Sequence, residues 1–177
     1  AYQSRIAFEI YRKTYLGNVF AKVEADFQGS DNNFRLRLAY GVIGYFLLGK
    51  AWSVFGDPEA VPQTVDKDGP NSSVVEKAIQ IRFEPGSINF WRFAVALETP
   101  NVEITNTDTV QADPFFQSFP DLTARVKYGN KSEWGHIQLA SVFRSITVRD
   151  PDENLQILAG YGGLLSGRII FKKSYKI

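Results

Sequence analysis

Apolar residues recur at every second position along most of the chain, the spacing of strands with one polar and one apolar side. Ser4–Arg12 sets Ile6, Phe8 and Ile10 against Arg5, Ala7, Glu9 and Tyr11, and Val19–Phe27 sets Val19, Ala21, Val23, Ala25 and Phe27 against Phe20, Lys22, Glu24 and Asp26. Phe34–Ile43 places Phe34, Leu36, Leu38 and Tyr40 opposite Arg35, Arg37 and Ala39, and Gly44–Phe55 is a less regular strand holding Lys50 and Trp52. The alternation returns in Ala78–Glu84, Phe90–Glu98, Asp121–Tyr128, Trp134–Val148 and the Gly-rich stretch Gln156–Lys172. The period predicts an all-β chain of about nine strands with no domain boundary and almost no helix.

The connections alternate in length. Lys13–Asn18, Pro85–Asn89 and Gly129–Ser132 are short, whereas Gly56–Lys77 and Thr99–Pro120 are long and polar. Short turns on one rim and long loops on the other are the layout of an antiparallel transmembrane β-barrel. The polar side also has a bias of sign: Arg5, Lys22, Arg35, Arg37, Lys50, Arg82, Arg92, Arg125, Lys127, Arg144 and Arg168 stand against Glu9, Glu24, Asp26, Glu84 and Glu98. Such a face suggests a lumen that attracts anions, and Tyr11, Tyr40, Tyr45, Trp91, Tyr128 and Trp134 near strand ends suit interfacial girdles. A soluble β-sandwich would alternate similarly, so a carbohydrate-binding module using Trp52, Trp91 and Trp134 remains an alternative, as does a complete, non-conducting barrel of about eight strands.

Composition narrows this further. The chain has 177 residues, 20 Lys+Arg against 19 Asp+Glu, and no Cys. Near-zero net charge argues against a nucleic-acid binder driven by bulk charge, and the missing Cys excludes disulfides, thiolate metal sites and Cys nucleophiles. No stretch approaches the roughly 18 apolar residues of a membrane-spanning helix.

Local motifs carry a resemblance. Ala21-Lys22-Val23-Glu24-Ala25-Asp26-Phe27 precedes Asn33-Phe34-Arg35-Leu36-Arg37-Leu38-Ala39-Tyr40-Gly41, and then Gly49-Lys50-Ala51-Trp52-Ser53-Val54-Phe55-Gly56-Asp57-Pro58-Glu59-Ala60-Val61-Pro62, Gly69-Pro70 and Gln80-Ile81-Arg82-Phe83. This order resembles the DcaP-like family of trimeric outer-membrane porins of Gram-negative bacteria, most densely over residues 2–98. The resemblance implies a barrel of about sixteen strands in a chain about twice as long, so these residues are expected to be a piece of a longer porin. It also implies a bacterial outer-membrane location, a homotrimer in contact with outer-membrane lipid, and passage of small anionic solutes, dicarboxylates among them. A loop folded into the lumen would match Trp52–Pro70, carrying Trp52, Phe55, Asp57, Pro58, Glu59, Asp66 and Asp68, and would face Arg35, Arg37 and Arg82. The pore-lining candidates are Arg5, Lys22, Arg35, Arg37, Lys50, Arg82, Arg125 and Arg144. Leu38 stands where the family often has His, and Lys77 where Arg is common; Lys keeps the charge and loses the planar fork that grips carboxylates.

No residue calls for catalysis, a metal or a cofactor. His136, the single His, reads as a lumen or rim polar residue, since no nucleophile elbow accompanies it. Asp57, Asp66 and Asp68 fit no cation-binding loop spacing and read as solvated or constriction-loop charges. Gly160-Tyr161-Gly162-Gly163 precedes no helix, so it reads as a strand of small residues where neighbours approach. Glu9, Glu24, Glu84 and Glu98 read as lumen ion pairs.

Overall fold

The computed structural model describes residues 4–15, 17–27, 33–61, 74–100, 119–130, 134–149 and 155–170. They form nine strands: β1 (Arg5–Thr14), β2 (Gly17–Asp26), β3 (Arg35–Ile43), β4 (Phe46–Trp52), β5 (Lys77–Phe83), β6 (Trp91–Glu98), β7 (Asp121–Asn130), β8 (Gly135–Arg149) and β9 (Leu155–Ile169). All nine lie in one sheet in sequence order, each antiparallel to the next. The connections after β2, β4, β6 and β8 therefore leave one rim and those after β1, β3, β5 and β7 the other. Both long connections, after β4 and β6, are on the first rim.

The sheet is polar where a soluble protein would be dry. Its apolar row is exposed, with Phe8 at 70% and Leu165 at 74%, whereas Gln138 at 0% and Thr123 at 1% are buried on the opposite side. A sandwich buries its apolar faces against each other, so this pattern overturns the β-sandwich alternative. Outward apolar side chains over a backbone paired from strand to strand suit lipid, where unpaired backbone polar groups are costly. The eight-stranded alternative also fails, because nine strands are present with β1 and β9 as the edges of the sheet among the described residues.

Two local departures from simple alternation matter. The β2–β3 register shifts between Glu24, opposite Leu38, and Ala25, opposite Leu36. The bulge gives β3 one extra residue, Arg37, and reverses the parity beyond it. Leu38 and Tyr40 consequently share the polar side with their partners Glu24 and Lys22, although plain alternation assigns them to the apolar side with Leu36. β4 is also shorter than the sequence pattern suggests. Gly44, at φ 60°, makes the tight turn with Tyr45, and the chain leaves the ladder after Trp52.

Aromatic rings gather at the short-turn rim. Tyr45 and Phe46 both meet Phe83, at 6.3 and 5.2 Å between centroids. Tyr128 meets Phe90, Trp91 and Trp134 at 6.2, 4.7 and 5.5 Å. Trp91 and Trp134 thus belong to a rim girdle, not to a sugar-stacking site, and Trp52 instead lies under the Lys77 amine at 4.1 Å.

Candidate functional site: an inward loop and an arginine cavity

Beyond β4 the chain turns onto the polar side of the sheet. Ser53–Val61 lies there, and a succession of wall residues holds it by hydrogen bonds. Gln80 Nε2 donates to the Trp52 carbonyl at 2.8 Å. The Glu98 carboxylate accepts from Ser53 Oγ (2.6 Å), the Val54 amide (2.7 Å) and Thr123 Oγ1 (2.9 Å). Gln138 Nε2 donates to the Gly56 carbonyl at 3.1 Å. The register explains the seat: Ala96 faces Thr123 and Ala94 faces Arg125, and the two small side chains leave room for Val54, which packs on them fully buried. At Gly162 an added Cβ would come 3.2 Å from Val142 Cγ1 and 3.8 Å from the Phe55 ring, so the Gly-rich β9 is where the loop approaches the wall.

Asp57 is the deepest contact. Its carboxylate lies 2.7 Å from His136 Nε2, 3.0 Å from Lys127 Nζ and 2.9 Å from Ser166 Oγ. Burial pushes the Asp57 carboxyl up, but the bonds from His136, Lys127 and Ser166, with the Lys127 charge, outweigh it and hold the group at about 2, against an ordinary 3.8. The residue read from sequence as a solvated or constriction-loop charge is a buried ion-pair partner, 4% exposed.

A cavity of about 430 Å³ opens between this loop and the wall, lined by Trp52, Ser53, Pro58 and Glu59 on one side and Tyr40, Arg82, Glu84, Arg92, Arg125 and Lys127 on the other. Glu84 serves two guanidiniums, Arg125 at 3.0 Å and Arg82 at 3.4 Å, while Glu59 lies 3.5 Å from Lys127 and 3.9 Å from Arg92. Arg82 Nε, Arg92 Nη2 and Arg125 Nε are buried without a hydrogen-bond acceptor among the described residues. Each is a charged donor out of contact with bulk water, an arrangement costing about 1–3 kcal/mol until an acceptor arrives. Arg92 also lines a separate opening nearer the short-turn rim, with Ser87, Asn89, Phe90, Gly129 and Asn130.

The other candidates are distributed differently from the sequence expectation. Arg35 forks onto Asp26 (3.0 and 2.8 Å), and Arg37 reaches Glu24 at 3.0 Å and Asp26 at 2.9 Å. These two arginines are neutralised by acids on β2 and do not face the described loop; of the three expected wall contacts, Arg82 alone shares the cavity with it. Lys22 pairs with Glu9 at 2.8 Å, and Arg144 grips Asp121 with its closest contact at 2.6 Å. Arg5 is exposed, in register with Asp26. Lys50 corrects the expected pore-lining set. Its register partners Ala39 and Ile79 lie on the apolar row, and its amine donates to the Leu36 carbonyl at 3.3 Å. Asp66 and Asp68 lie outside the described residues. The anchors Gln80, Thr123, Gln138 and Ser166 escaped the sequence reading, and Glu98, expected in an ion pair, is instead a loop anchor. Their signal was available as uncharged or acidic residues interrupting an otherwise basic row.

Comparisons with known proteins agree with this architecture. The profile of the DcaP outer membrane protein family matches residues 1–173. The crystal structure of the outer membrane channel DcaP of Acinetobacter baumannii has the same fold, with a TM-score of 0.81 at 20% identity, over 98% of this chain and 49% of that one. The chain thus spans about half the length of that solved channel. No curated protein matches the chain in sequence. With its polar inner side, exposed apolar rows and rim girdle, the chain belongs to the DcaP outer membrane protein family of the bacterial outer membrane.

Proposed function

We propose that this chain forms wall and constriction of a porin through which small anionic solutes, dicarboxylates among them, diffuse passively, within a homotrimer surrounded by outer-membrane lipid. The carrying observation is the arginine cavity beside the inward loop, where three guanidiniums each keep one nitrogen without an acceptor among the described residues. A carboxylate about 4 Å from one such group gains about 1 kcal/mol in water and about 4 kcal/mol at an effective dielectric of 20. That range raises local anion concentration while still letting the solute leave, as conduction requires. The inward loop supplies the narrowing, and the wall arginines supply the sign of the selected charge.

The test is the reversal potential of the full-length protein in planar bilayers under a salt gradient. Arg82→Gln with Arg125→Gln should shift it towards cation selectivity. An unmoved reversal potential in the double variant would sink the reading.

A further inference from the structure

A single loop carboxylate meets three strands. Lys127, Gln138 and Ser166 form one cross-strand row, since Lys127 faces Gln138 and Gln138 faces Ser166. His136 sits on the same side of β8, one polar position before Gln138. Asp57 bonds Lys127 from β7, His136 from β8 and Ser166 from β9, while Gln138 takes the Gly56 carbonyl beside it. We propose that Asp57 is the positioning residue of the inward loop, a pin that ties Ser53–Val61 to three strands and so sets the opening beside the arginine cavity. The proposal rests on the pore reading above and names what holds its constriction.

The pin is built from charge as well as contact. Asp57, Lys127 and His136 are all nearly excluded from solvent. Removing the carboxylate leaves Lys127 with Glu59, at 3.5 Å, as its remaining acid partner among the described residues, and that acid is itself near Arg92 and His136 Nδ1, both at 3.9 Å. Loss of one member of a buried pair is strongly unfavourable, and the strain is relieved here if the loop lifts and admits water. The groups facing Asp57 are therefore Lys127 on β7, His136 on β8 and the neutral Ser166 on β9, with Glu59 on its own loop and Arg92 of β6 behind it. A carboxyl depressed to about 2 stabilises the pinned loop above its unfolded value of 3.8 and ceases to do so as pH falls through about 2.

The 177 residues hold no Cys, so a thiol introduced among them, with any Cys elsewhere in the full-length protein replaced, gives a direct readout. Val54→Cys in the full-length protein puts a thiol where the loop is fully buried against Ala94 and Ala96, so a hydrophilic maleimide reacts only when the loop undocks. Adding Asp57→Asn should speed labelling on the order of 100-fold, the population change expected when a buried charge loses its partner. Asp57→Glu, which keeps the charge, should restore protection in part, and Ser166→Ala, which removes one hydroxyl, should raise labelling several-fold. Heat-modifiable migration reports whether each barrel has folded; if Asp57→Asn does not fold, the Ser166→Ala comparison decides. Unchanged labelling in the folded variants overturns the proposal. Thiol access does not depend on ion selectivity, so an unselective pore with a pinned loop would remove only the anion reading. A selective pore with an unpinned loop would remove only this one.

Discussion

Replacing Glu98 with Gln should loosen the inward loop at its root while leaving the sheet intact. The two side chains have the same shape, so packing around Ala96 and Val54 is unchanged. The difference lies in three hydrogen bonds, from Ser53 Oγ, the Val54 amide and Thr123 Oγ1, all now accepted by a buried carboxylate. A bond to a charged acceptor contributes about 1.5–3 kcal/mol against about 0.5–1.5 for a neutral one. The amide must also turn its NH₂ towards Ser53, whose hydroxyl already accepts from the Phe55 amide. Losing charge assistance in all three amounts to about 2–3 kcal/mol. At about 1.4 kcal/mol per decade, loop opening becomes roughly 30- to 100-fold more frequent. Hydrogen exchange of the Val54 amide measures this directly, because its acceptor among the described residues is Glu98 Oε1, whereas β6 amides such as Leu97 belong to the ladder. The expected result is a selective loss of Val54 protection. Undiminished protection at Val54, or an equal loss throughout β6, would refute the account of Glu98 as a loop anchor.

Two further substitutions probe the wall. Gly49→Ala should destabilise the barrel by about 3 kcal/mol or more, because Gly49 has φ 126° and an added Cβ would strike the Ala39 carbonyl and come 2.8 Å from Tyr40 Cα; the temperature of the heat-modifiable band shift reads this, and an unshifted temperature would show that β3 and β4 can part. Asp26→Asn takes a shared, buried counter-charge from Arg35 and Arg37 and should cost about 2 kcal/mol, less than a fully buried pair because Arg35 is half exposed. The urea midpoint in lipid vesicles should fall accordingly, and a midpoint equal to that of the parent would mark these pairs as incidental.

Much of the architecture follows from short-range pattern. A period of two over Ile79, Ile81 and Phe83 or Trp91, Phe93, Val95 and Leu97 leaves little choice but a strand with one apolar side, and each of these assignments agrees with the observed register. Alternation alone did not separate lipid-facing from core-facing strands, since a sandwich alternates in the same way; the exposure of those rows in the folded sheet did. Errors arose where one residue altered the count. The bulge at Arg37 reverses Leu38 and Tyr40, and alternation contains no signal for a bulge. Lys50 was misassigned because the irregular β4 gives no clean parity, while its cross-strand partners Ala39 and Ile79 decide its row.

By itself the sequence determined the strand periodicity, the alternation of short and long connections, the aromatic residues near strand ends and the excess of basic residues on the polar side, since each depends on neighbours a few positions apart. Which of those bases are matched by acids was decided only by the tertiary structure. Arg35, Arg37 and Arg144 are matched by acids brought alongside through strand pairing, whereas Arg82 and Arg125 share Glu84, Arg92 lies near Glu59, and each of these three keeps a buried donor nitrogen without an acceptor among the described residues. The role of Asp57 likewise depends on residues 70, 79 and 109 positions away. Charge balance in a folded sheet is a property of the pairs that register creates, and no local stretch of sequence contains both members of these pairs.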